Sequence, residues 1–155
     1  MKAHILTLLL LCASLTSVAQ TGDDLFREFK REPNATYMKI PPFVTTLGKI
    51  FMGDDPDAQM AKKVSSVRIL DMDLCPAGVK RRFERRINAL SRKGYETMAH
   101  INEDGERLRI YARAEDDVVR ELLIARSEEG SCTLVQVKGK FERKDIDVLM
   151  DEQPT

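Results

Sequence analysis

The chain of 155 residues has no tryptophan, three tyrosines, six phenylalanines, two histidines and three cysteines. So thin an aromatic set argues against a carbohydrate site built on stacked rings. Its few histidines and cysteines stand in no HExxH or CxxC spacing, so the sequence offers no metal or cofactor motif. Neither sign of charge is in excess, with 25 Lys and Arg against 25 Asp and Glu. A dedicated nucleic-acid binder carries a marked basic surplus, and that class is set aside. Nor is there an apolar run of the about 20 residues that a membrane span needs.

The amino terminus carries the clearest positive signal. Lys2 supplies a charged start, Ile5 to Leu11 an apolar stretch, and Ser17-Val18-Ala19 a small-x-small cleavage pattern. Residues 1–19 read as a secretory signal peptide, cut before Gln20. Cys12 is preceded by Leu11 and lies inside the apolar stretch, unlike the modified cysteine of a lipoprotein. Residues 20–155 then form a single α+β domain with a balance of −1, located in the periplasm or secreted. Nothing in this composition signals an oligomeric state.

Along the mature chain, Asp23 to Arg31 reads as a short helix that Asp23 or Asp24 can cap, and Thr36 to Ile40 as a strand. Pro41-Pro42 opens a second helix whose Phe43, Leu47, Ile50 and Phe51 make one apolar stripe. Asp54 to Lys63 reads as a solvated connection, since its aspartates lack the glycine and distal glutamate of a calcium loop. Val64 to Leu74 is the central strand candidate, ended by Cys75-Pro76. A basic helix follows, with Val79, Phe83, Ile87 and Leu90 on its buried side. Four strands joined by short polar turns, the first at Asn102 to Gly105, predict an antiparallel meander, and Asp145 to Met150 closes as a helix. The expected fold is an antiparallel-rich sheet with a C-terminal four-strand meander and helices packed on one face.

Val64 to Leu70, the basic helix ending near Gly94-Tyr95-Glu96 and the hairpin strand Leu108 to Arg113 carry a family pattern. It continues through Leu134 to Gly139 and the closing Ile146 to Leu149. These segments resemble the small secreted Bacteroidetes family catalogued as domain of unknown function 4252. The resemblance implies an envelope protein of a Gram-negative bacterium. It carries over no catalytic residues.

Candidate sites are few. Arg107, Arg109, Tyr111 and Arg113 alternate onto one strand face, where they would offer a basic strip to an anionic glycan or an acidic envelope protein. Pairing with Glu121 and other acids on neighbouring strands is the competing use of the same arginines. Cys75 and Cys132 could form a disulfide after export, remain two buried thiols, or leave a thiolate at Cys75 beside a helix start. Asp71, Asp73 and His100 are the residues from which a small periplasmic hydrolase or glycan-processing site would be built. No Gly-x-Ser-x-Gly turn supports a serine hydrolase. The leading expectation is an exported, non-enzymatic binding or interaction module. The alternatives are that hydrolase and a structural or regulatory envelope-stress component.

Overall fold

The computed structural model describes residues 21–41 and 56–151. The expected leader, its expected cleavage point and the helix expected after Pro41 lie outside the described residues. Helix α1, Gly22–Phe29, is capped by Thr21 rather than by either aspartate. The Thr21 hydroxyl accepts from the Asp24 backbone N–H, and the Asp24 carboxylate accepts from the Thr21 N–H. This reciprocal box satisfies two donors that a helix start otherwise leaves orphaned. Strand β1, Thr36–Ile40, follows with the expected bounds.

The connection expected before the central strand is instead a helix, α2, at Pro56–Lys63. Proline suits a first helical turn because its missing N–H is not needed there. Ala, Gln, Met and Lys then favour the helix, and Lys62 and Lys63 sit in its last turn, where the dipole favours cations. Strand β2, Val64–Asp71, leads to α3 at Ala77–Asn88 and a 3-10 turn at Leu90–Arg92. The meander comprises β3 at Glu96–Glu103, β4 at Glu106–Glu115, β5 at Val118–Glu128 and β6 at Ser131–Glu142. Helix α4, Arg143–Asp151, ends the described chain. The β3–β4 turn places Asp104 at φ 49° and Gly105 at φ 83°, the left-handed pair that a tight hairpin demands.

All six strands form one antiparallel sheet in the order β1-β2-β6-β5-β4-β3. Helices α1 and α3 cover one face, burying Leu25, Phe26, Phe29, Phe83 and Ile87 against Leu70, Leu123 and Leu134. Phe29 meets Phe83 edge-on at 5.3 Å between ring centres, tying the two helices together. Strand alternation puts Ala112, Leu122 and Val137 on the other face, where they gather with Phe141, Met60 of α2 and Ile146 of α4. The fold is α+β, with an antiparallel sheet at its centre. Among the described residues, no helix is long and apolar enough to cross a membrane.

Candidate functional site

The β4 arginines share a face, as alternation requires, but that face lies beneath α3. Arg109 is 2% exposed and Tyr111 4% exposed, so neither belongs to an uncovered strip. The Arg109 guanidinium donates to both Glu84 carboxylate oxygens at 2.7 Å, to Asn88 Oδ1 at 2.6 Å and to Ser127 Oγ at 3.1 Å. Arg107 reaches the same Glu84 at 3.7 Å. Arg113 pairs at 3.0 Å with Glu121, its cross-strand partner, which is 1% exposed. Glu121 also accepts from the Tyr95 hydroxyl and the Gln136 amide. These arginines neutralise carboxylates inside the molecule. Sequence alternation placed them on one face correctly; which face a helix would cover is a tertiary fact.

The hydrolase constellation is not assembled. Asp73 accepts from the Cys132 N–H at 2.7 Å and the Ser131 hydroxyl at 3.0 Å, while its own N–H donates to Asp71. The Cys132 N–H holds the Asp73 carboxyl below its ordinary range, against a modest opposing effect of burial. Such an acid stays ionised and ties β2 to β6. His100 stands on β3, four strand spacings from β2, or about 19 Å. Cys75 and Cys132 are both free and buried. Burial pushes the Cys132 thiol up to about 12, and burial together with Glu32 raises that of Cys75. Raised in this way, both thiols are disfavoured as thiolates near neutral pH. Among the described residues no three His, Cys, Asp or Glu side chains group as a metal would need.

A different site emerges where α2 meets the sheet. A cavity of about 580 Å³ is lined by Lys62, Lys63, Val64, Ser65, Arg120, Lys138, Gly139 and Lys140. Irregular pairing on three adjacent strands forms it. Against β2 the register slips at Ser65, and against β5 two β6 residues, Gly139 and Lys140, stand opposite Arg120. Bulges of this kind interrupt the ladder and re-aim side chains. Gly139 is needed there because a Cβ would collide with the Lys63 carbonyl oxygen and the Phe141 ring. The cavity wall thus brings α2 and β6 closer than any other residue would allow.

Five cationic side chains and no carboxylate line this cavity. Two of the lysines are anchored from outside it: Lys63 to Asp145 at 2.5 Å and Lys138 to Asp23 at 3.0 Å. Lys63 draws the Asp145 carboxyl below its ordinary range. For Asp23 burial works the other way, and hydrogen bonds from Lys138 and Gln136 prevail to lower it. Arg120 differs. Its Nε, like those of Arg109 and Arg113, is buried without a hydrogen-bond partner, and its only ion-pair partner among the described residues, Glu115, approaches no closer than 3.7 Å. A buried donor left unpaired costs free energy, and an acceptor entering the cavity would recover it. The sequence signal for this site was Lys138-Gly139-Lys140, a glycine inside an otherwise good strand, which often marks a bulge.

Comparison with characterised proteins and with solved structures returned no match. A family model matches residues 29–149, well over half the chain, and the protein belongs to that family, described as Domain of unknown function (DUF4252).

Proposed function

We propose that the chain is an exported, non-enzymatic binding module of the bacterial envelope that holds an anionic ligand in the cavity beside α2. The observation that carries this reading is the lining itself: five cations, no carboxylate and a buried Arg120 Nε awaiting an acceptor. A cavity of this size lies within the range of small-molecule sites. Positive charge focused in a concave wall attracts anions more strongly than the same charge spread over a convex surface. Export rests on the Lys2, Ile5–Leu11 and Ser17-Val18-Ala19 signal. N-terminal sequencing of the protein recovered from cells is expected to read from Gln20. An intact Met1 on a cytosolic protein would remove the envelope from the proposal.

Binding is tested by calorimetric titration with a heparin-derived tetrasaccharide, used as a soluble polyanion. Wild type should bind with an affinity that falls as salt rises, because screening shortens the reach of charge to about 10 Å at 0.1 M. The double variant R120Q/K140Q should weaken binding about a hundredfold or more, since each of the two lost charge-assisted contacts contributes about 1.5–3 kcal/mol. Its melting curve should stay close to wild type, as Lys140 is exposed and Arg120 partly so. Unchanged affinity in that variant, with loss in R107Q/R113Q instead, would move the site back to β4 and overturn the proposal.

A further inference from the structure

We infer that the group taken by the cavity is a phosphate monoester, an inference that rests on reading this cavity as the binding site. Its lining supplies donors and almost no acceptors. There is no carboxylate to receive a ligand ammonium or hydroxyl, and the Ser65 hydroxyl, whose proton goes to the Lys138 carbonyl, is the one lining side-chain oxygen left to accept. The ligand group must therefore be acceptor-rich. Charge then narrows the choice. Lys63 and Lys138 are committed to Asp145 and Asp23, whereas Lys140 is exposed and Arg120 has only the distant, 66% exposed Glu115. Arg120 and Lys140 together offer close to two uncommitted positive charges on opposite sides of the bulge. A carboxylate or a sulfate ester brings one negative charge, but a phosphate monoester brings about −1.5 to −2 at neutral pH, with three strong acceptor oxygens. Two positive charges call for a dianion. The phosphate would displace Glu115, whose carboxylate holds Arg120 only loosely through water-screened space.

Volume adds the remaining constraint. About 580 Å³ of open groove exceeds what an inorganic phosphate fills and leaves room for an organic body beside it. Val64, Gly139 and the methylene stems of the lysines give the wall apolar stretches against which such a body can lie. The monoester can belong to a soluble metabolite or to a lipid headgroup of the envelope.

The test compares phenyl phosphate, phenyl sulfate and benzoate, which share one body and differ in the anionic group. Titrated at about pH 7.5, phenyl phosphate should bind about tenfold more tightly than the other two. Near pH 5 that advantage should shrink, because the monoester loses its second charge below its pKa of about 6. The groups facing the cavity are Lys62, Lys63, Arg120, Lys138 and Lys140, with Asp23, Asp145 and Glu115 behind them. The lining holds no histidine, the side chain that ordinarily titrates in this range, and the change is assigned to the ligand. R120Q/K140Q should abolish the preference. Equal affinity for all three probes, each weakened by R120Q/K140Q, would overturn the phosphate assignment while leaving the anion site standing. No R120Q/K140Q-sensitive binding of any probe would overturn both. Vesicles of phosphatidylcholine with and without phosphatidic acid separate the two sources. Capture by phosphatidic acid assigns the headgroup, and binding of phenyl phosphate alone assigns a soluble monoester.

Discussion

Phe83→Ala is expected to destabilise the domain by about 3–5 kcal/mol in urea melts, the range for deleting a fully buried aromatic ring. Phe83 is completely buried and meets Phe29 edge-on, so its loss opens a void between α3 and α1. The short α1 depends on that contact. Its eight residues are too few to hold a helix in isolation, and Leu25, Phe26 and Phe29 fix it to the sheet. Arg81→Ala, on the exposed side of α3, should change stability by less than about 0.5 kcal/mol. Similar losses for the two substitutions would mean that α3 presents a different side to the sheet.

Arg109→Met should cost about 3 kcal/mol, although methionine fills much of the same space. The arginine is the charge that allows Glu84 to lie against the sheet, and it also satisfies Asn88 and Ser127. Removing one partner of a buried pair leaves the other desolvated and unpaired, which costs about 3–5 kcal/mol in closed sites. Glu84 keeps 18% of its side chain exposed and retains a distant Arg107, which places the effect at the lower end. The double variant Arg109→Met with Glu84→Leu should recover most of the loss, because no unpaired charge remains. A single variant as stable as wild type would show that this network adds nothing to the fold.

Local rules carried the strands and turns a long way. The bounds of β1 were legible from Thr36, Tyr37 and the flanking prolines, and Asn102 to Gly105 marked the β3–β4 hairpin. The side of α3 that is buried followed from Val79, Phe83, Ile87 and Leu90 at helical spacing. Two local readings erred. Thr21 outcompeted Asp23 and Asp24 as the cap because its box with Asp24 satisfies both partners at once. The aspartates before Lys63 suggested a loop, yet Pro56 and the alanines that follow form α2.

The site was hidden for a different reason. A basic strip is visible by alternation, but its exposure depends on where α3 lands, and α3 lands on Arg109 and Tyr111. The cavity needs Lys62 and Lys63 from α2, Arg120 from β5 and Lys140 from β6, which are brought together only by sheet order and bulges. A two-for-one register is set across strands and leaves little trace along any one of them. Gly139 was its single local mark.

The most direct measurement is a series of two-dimensional amide ¹H–¹⁵N spectra recorded while phenyl phosphate is added to the protein. Shifts that saturate and cluster at Val64, Ser65, Arg120 and the run Lys138 to Lys140 are the expected result. The amides of β4 from Arg107 to Arg113 should stay in place. Movement centred on β4, or no saturable change near the bulge, would contradict an anion site at this cavity.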